Sequence, residues 1–290
     1  RSYIAGDDDQ TIYTFQGADP DIFIELQGVF DPQIKSRRVP RKIHKLAESI
    51  FPHMTNRLKK KWEPRDAEGN IYDDIPFQDI DFSKGNWMIL TRTNKMLSAL
   101  KDHLYDLNLR FDAKQQELLP KKMVNAYRVW IRLNQGAFVN KEDLKDLWDY
   151  LTVKQGHLVR GYASNKTLES VDSINIEGLR EHYGLRAAGS WETLNFPESS
   201  KIYIRTILKN GDDLMKPARI KLSTIHSVKG EECDNVVLFT DLERIIYESS
   251  QNDADAEHRT FFVGITRAKE NLFIVNQDYE YQYNIGAPII

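Results

Sequence analysis

The sequence predicts an α/β protein, a parallel sheet interrupted by a mostly helical insertion. Three observations carry that expectation. The runs NWMILTRT (86–93), RIKLSTIH (219–226), NVVLFTD (235–241) and NLFIVN (271–276) have the apolar, β-branched character of strands buried on both faces. The first is followed by Leu97, Leu100, Leu104 and Leu107 at helical spacing, making a strand–helix unit of a parallel sheet. Between that unit and the remaining strands lie roughly a hundred residues in which helical patterns dominate.

In chain order, SYIAGDDD (2–9) reads as the end of a short strand entering a polar loop. DPDIFIELQGVF (19–30) reads as a helix, with Asp19 as N-cap and Pro20 in the first turn. PRKIHKLAESIF (40–51) opens on proline and puts Ile43, Leu46, Ala47 and Ile50 on one helical face. In the insertion, 121–135 and 141–151 are helical, the latter with Leu144, Leu147, Trp148 and Leu151 at i, i+3, i+4 and i+7. Residues 155–200 are rich in Gly, Ser and Asn and give no assignable pattern. No internal repeat or low-complexity tail is evident.

Composition narrows the class. Among 290 residues, 41% are hydrophobic and 11% aromatic, enough to build a core. Forty basic and forty-three acidic residues leave a net charge of −3, so any grip on nucleic acid must come from local basic grooves. The single cysteine, Cys233, cannot pair within the chain, which fits a reducing compartment. No apolar run approaches the ~20 residues a membrane span needs, and the first residues lack a signal-peptide pattern. The expectation is a cytoplasmic protein with no membrane partner.

One stretch asks for chemistry: GDDDQTIYTFQGA (6–18), three aspartates followed by Gln10, Tyr13 and Phe15. A calcium loop would need alternating ligands, a glycine at its sixth position and a later bidentate Glu, and this stretch offers none of that order. No metal ligand is assigned. The order strand, GDDDQ, two aromatics resembles the third motif of the UvrD/Rep/PcrA group of superfamily 1 DNA helicases. KLSTIHSVKGEECDNVVLF (221–239) is similar to the fifth motif of that group, and EHRTFFVGITRAKENLFIV (257–275) to the sixth. SRRVPRKIHKLAE (36–48) and MILTRTNKML (88–97) resemble the fourth motif and its companion. The resemblance covers about 1–112 and 217–290.

It implies a RecA-like sheet domain made of 34–112 and 217–290, a helical subdomain at 113–216, and a remnant of a first RecA-like domain at 1–33. It implies ATP as substrate, with Arg38 and Arg267 reaching the γ-phosphate and Gln10 sensing it. Arg37 stands where an adenine-stacking aromatic is usual, and Gly230 and Glu232 where the ribose is met. Single-stranded DNA would run past Tyr13, Phe15, Asn94 and His226, with Thr224 and Lys229 on its backbone. Aromatics can hold single strands because every base has a π-face, and alternation sets both rings on one side if the segment is extended. The direction implied is 3′ to 5′. Within the matched motifs, Gln16 and Glu231 replace the usual Arg and Leu, and a Phe-Pro-His segment has no counterpart.

A motor of this kind also needs G-x-x-x-x-G-K-[ST] and an Asp-Glu pair for magnesium. None of the fifteen glycines precedes a lysine, and no Asp-Glu dipeptide occurs. The chain is therefore expected to be a C-terminal motor portion, inactive alone, whose magnesium ligands and partner RecA-like domain lie on absent polypeptide. Two other readings stay open: a non-catalytic nucleic-acid-binding or partner-recruiting protein with this fold, and part of a helicase–nuclease.

Overall fold

The structure, a computed structural model, describes residues 3–73, 75–113, 119–277 and 279–289. The chain divides into two compact units, Arg1–Leu107 with Arg219–Ile290, and Asn108–Ala218.

The first unit is built on strands β1 (Asn70–Tyr72), β2 (Trp87–Thr91), β3 (Ile220–Thr224), β4 (Cys233–Phe239) and β5 (Ala268–Val275). They lie side by side in the order β1-β5-β4-β2-β3, every neighbouring pair parallel. β2 is buried at all five positions, and Val236 to Phe239 of β4 are fully enclosed. The continuous apolar runs arise because helices cover this sheet, leaving no solvated face to ask for polar alternation. The predicted α/β class and its parallel sheet are present.

Helix Arg41–Glu48 turns Ile43 and Ala47 into the core, and Ile50, just past its C-cap, is buried as well. Its N-cap, Pro40, offers no side-chain acceptor, so the orphan amides of the first turn need other partners. Arg41 N and Lys42 N donate to Ala67 O and Glu68 O, each within 2.9 Å. The chain then turns at Gly69 with φ +69° into β1, close against the Pro40 ring. Helix Asn94–Asp106 follows β2 with Thr93 as its cap and buries Leu97, Leu100 and Leu104, while Leu107 stays exposed. Helix Ala254–Ile265, capped by Asp253, is enclosed almost throughout. Gly264 allows it to approach the sheet, since a Cβ there would stand 2.9 Å from Leu238 Cδ1. After β5, Tyr281–Gln282 pairs antiparallel with Asp241–Leu242, and the Tyr283 ring stacks on Phe261 at 3.9 Å.

Two expectations at the N-terminal end need correction. Residues 3–7 form no strand, and Tyr3 and Ile4 are exposed. A strand requires a ladder partner, and none of the described pairings reaches this segment. The predicted helix at 19–30 is limited to Pro20–Ile24, with Asp19 accepting from Asp21 N as foreseen. Beyond Glu25, Leu26, Val29 and Phe30 are exposed, so no buried face sustains further turns.

The second unit gathers helices Lys121–Asn134, Lys141–Trp148, Ile176–His182 and Glu198–Lys209 around its own core. Trp130, Leu144, Leu147, Leu168, Leu179 and Ile207 are fully buried there. The buried indoles keep their donors satisfied, Trp130 on Gly189 O at 3.2 Å and Trp148 on Tyr162 O at 2.8 Å. Asn140 and Asn175 cap the second and third helices through Asp143 N and Gly178 N.

Because Gly69 supplies both the left-handed turn and the space beside Pro40, Gly69→Ala is expected to cost about 2 kcal/mol of stability, read as a lowered urea midpoint of the first unit.

Candidate functional site

The aspartate run winds into a 3-10 turn, Asp8–Gln10, capped by Asp7 through Asp9 N. Asp8 and Asp9 are buried, which would be costly for bare carboxylates. Two cations from the loop after Phe51 compensate them. Lys60 Nζ stands 2.6 Å from Asp7, 2.5 Å from Asp8 and 3.0 Å from Asp9. Arg57 forks onto both oxygens of Asp9 at 2.9 and 2.8 Å, and Leu58 N donates to Asp8 at 2.7 Å. Burial opposes the Lys60 charge, but Asp7 and Asp9 outweigh it and hold the ammonium above its ordinary range. The acids are thus engaged by protein cations, an arrangement that does not fit a magnesium shell.

Arg38 lies in the turn before helix Arg41–Glu48, where Ser36 Oγ accepts from Arg38 N at 3.2 Å and Val39 N at 2.9 Å. A third arginine fixes its backbone: Arg65 Nε donates to Arg38 O at 2.8 Å while its other end bonds Lys269 O, two residues past Arg267. Arg38 extends toward Glu232, NH1 to Oε2 3.9 Å, and its buried Nε has no hydrogen-bond partner among the described residues. Burial, only partly offset by Glu232 and Asp7, lowers its pKa.

Arg267 sits where helix Ala254–Ile265 turns into β5, and it is fully buried. Its hydrogen bonds go to neutral oxygens: Val263 O at 2.9 Å, Glu231 O at 3.0 Å, Thr266 Oγ1 at 3.1 Å and Gln10 Oε1 at 3.3 Å. Burial first, and then the neighbouring Arg38 charge, push its pKa down to about 9. Gln10 is held from the other side as well, its Nε2 donating to Asp7 Oδ2 at 2.5 Å. Gln10, Arg38, Arg267 and Glu232 therefore form one cluster. Gly230 turns with φ +90° beside it, facing open space. Glu232 is half-exposed and meets Lys269 at 3.9 Å. Arg37 is exposed to solvent.

Three residues beyond Gln10, the aromatics begin. Thr14–Gln16 is a 3-10 turn rather than extended chain, yet Tyr13 and Phe15 still meet, ring centroids 5.9 Å apart. His226 completes the group at 5.9 Å from Tyr13 and 5.5 Å from Phe15, and its carbonyl accepts the Tyr13 hydroxyl at 2.6 Å. Phe15 is 69% exposed, so it is not a core residue. Burial, then the Arg92 charge, depress the His226 pKa to about 4, so the ring is neutral at pH 7. Lys229 lies 5.6 Å from the Tyr13 ring centroid. A cavity of about 330 Å³ opens beside Phe15 and His226. Its wall includes Arg92, bound to Glu257 through both ends of its fork at 2.8 and 3.0 Å. Asn94 is exposed at the start of the next helix. Thr224 is buried at the end of β3, its hydroxyl bonded to Ser227 Oγ at 3.0 Å.

Sequence patterns missed Arg57, Lys60, Arg65 and the Arg92–Glu257 pair. Arg92 falls inside a matched motif, so that motif was its one signal. The other three belong to NRLKKKWEPR (56–65), whose charges look alike until folded.

Residues 165–279 match the UvrD-like helicase C-terminal domain. Over 192 residues the chain is 22% identical to a "Probable DNA helicase II homolog" of Mycoplasma capricolum subsp. capricolum, a match spanning 62% of this chain and 26% of that protein. The chain thus spans about a quarter of the length of that relative. Glu232, His226 and Arg267 fall inside the matched family segment; Gln10, Arg38, Tyr13 and Phe15 lie outside it. Among the described residues no helix is long and apolar enough to cross a membrane.

Arg92→Met would leave the Glu257 carboxylate buried without its cation. It is expected to cost about 3 kcal/mol at pH 7. Burial already raises the Glu257 pKa, so the folded mutant binds a proton more readily than the unfolded chain and its deficit should narrow toward pH 5. In the same variant the NMR titration of His226 should move upward from about 4, because the repelling Arg92 charge is gone.

Proposed function

We propose that this chain, carrying a UvrD-like helicase C-terminal domain at 165–279, is the C-terminal motor portion of an ATP-dependent DNA helicase that moves 3′ to 5′ on single strands. One observation carries the reading: Gln10 touches Arg267 at 3.3 Å, and the same short segment continues, three residues on, into the aromatic group Tyr13, Phe15 and His226. A group that senses phosphate and a surface that stacks bases are thus parts of one loop.

In this reading Arg38 and Arg267 aim two guanidinium groups at the charge that develops on a transferring γ-phosphoryl group, where preorganised cations act most strongly. Both are already desolvated, and Arg38 Nε, without a partner among the described residues, is a donor for an anion. Gln10 has one amide end on Arg267 and can report whether the phosphate is present. Glu232 accepts from the ribose, Gly230 lets the backbone approach, and Arg37 stacks its planar group on adenine. Magnesium would neutralise the triphosphate from a shell on a partner RecA-like domain, the other half of the cleft.

The aromatic group and the cavity behind it take single-stranded DNA. Phe15 and His226 present ring faces to bases, and the neutral imidazole adds no charge repulsion or preference. Lys229 and Asn94 meet the sugar–phosphate backbone, while Thr224 braces the turn through Ser227. Closure around ATP would draw the Gln10 segment and shift the strand along the rings; hydrolysis would release it.

Two outcomes test this. The chain mixed with ATP, magnesium and single-stranded DNA is expected to show no turnover, and robust hydrolysis would refute the division of the site. In a protein that also supplies the phosphate loop, Phe15→Ala should weaken single-strand binding by ~1–3 kcal/mol, measured by fluorescence anisotropy, and lower DNA-stimulated turnover. Unchanged stimulation would take Phe15 out of the track.

A further inference from the structure

The proposed chemistry leaves one strong feature unused, the cation at the centre of the aspartate turn. Lys60 comes from a loop some fifty residues downstream, yet its ammonium touches all three carboxylates. Arg57 is committed to Asp9 by two hydrogen bonds, and Asp8 is also bonded to Leu58 N. Asp7 is different. Its Oδ1 meets Lys60 and its Oδ2 takes the Gln10 amide, and it is the most exposed acid of the three. It is also the carboxylate whose field reaches Arg38, Arg267 and Lys229.

That position creates a competition. A carboxylate near two desolvated guanidinium groups is a ready substitute for a phosphate. If Asp7 swung onto Arg38 or Arg267 it would fill the anion site and carry Gln10 with it. A glutamine amide has distinct ends, a donor and an acceptor. Here the donor end faces Asp7 and the acceptor end faces Arg267, so Asp7 is one of the two groups that set the orientation of the amide.

We infer that Lys60 is a positioning residue: it holds Asp7 away from the two arginines, fixes the Gln10 amide with its oxygen on Arg267, and so keeps the anion site open. The inference rests on the reading that Arg38 and Arg267 receive a triphosphate, and it deepens that reading by naming the group that guards the site.

The test uses this chain with inorganic tripolyphosphate as the probe. Calorimetry gives the affinity, and the Gln10 side-chain amide resonances, assigned by their loss in Gln10→Ala, report the orientation without any anion present. Lys60→Met should shift those resonances toward free glutamine and weaken tripolyphosphate binding about tenfold, the order a charge-assisted hydrogen bond supplies. Adding Asp7→Asn to Lys60→Met should restore binding, because the competing carboxylate is gone; a general structural defect would not be rescued this way. Unmoved resonances in Lys60→Met, or failure of the double variant to recover affinity, overturn the inference. If Lys60→Met does not fold, Lys60→Arg decides: resonances and affinity within about twofold of the parent support it, and loss of either overturns it. If the unaltered chain binds no tripolyphosphate, the triphosphate reading fails, while the anion-free Gln10 resonances still judge the role of Lys60.

Discussion

A guanidinium buried among neutral oxygens is the constraint on which this site depends. Arg267 is fully enclosed, and among the described residues its hydrogen-bond partners are two backbone carbonyls, a hydroxyl and an amide. Glu232 and Asp7 favour its charge only from a distance, and Arg38 opposes it. Such a cation is expensive unless something negative arrives. The surrounding structure makes the expense tolerable by fixing every atom near it: the helix Ala254–Ile265 supplies Val263 O, the turn before β4 supplies Glu231 O, and Arg65 ties the start of β5 to the turn that bears Arg38.

That rigidity explains how the two arginines share a cluster in which Glu232 and Asp7 only partly offset their charge. Each lies on a different part of the sheet layer, one before helix Arg41–Glu48 and one before β5. β1 and β5 are paired neighbours, with Asn70 opposite Asn271, and the segment leading into β1 holds the Arg38 turn through Arg65 and Ala67. Parallel pairing aligns the starts of strands at one edge of the sheet, and the loops there collect residues that are remote in sequence. The aspartate turn, with Gln10, is then pinned to this edge by Lys60 and Arg57. The aromatic group follows as a consequence of chain connectivity.

Much of this was legible in the sequence because it is periodic or local. Continuous apolar runs mark strands covered on both faces, and Leu144, Leu147, Trp148 and Leu151 all proved buried at their helical spacing. Gln10, Arg38 and Arg267 were found through short motifs, and the fold brought them into one cluster. What escaped is long-range charge pairing. Nothing in NRLKKKWEPR distinguishes Lys60, enclosed by three acids, from Lys59 or Lys61, because pairing over some fifty residues leaves no periodic trace. The opposite error came from Tyr3 and Ile4: apolar letters suggested a strand, but a strand is defined by a neighbour, and local composition cannot supply one.

Under the proposed function, the charge state of Arg267 bears on the kind of ligand the site takes. Burial and the Arg38 charge lower the Arg267 pKa to about 9, and a guanidinium keeps its proton in proteins under ordinary conditions. At neutral pH the guanidinium is charged in both states, so its desolvation penalty is present in full and does not vary with pH. Proton release is therefore no route to relief under ordinary conditions. An anion is, since any ligand that binds the folded chain alone stabilises it in proportion to its affinity. Neutral contacts already satisfy the geometry of Arg267, and among the described residues Arg38 Nε has no partner, so the cluster is complete in shape and short of negative charge. In the proposed reading such a pocket selects for negative charge delivered from outside, and the Gln10 amide, bonded to Arg267, registers its arrival.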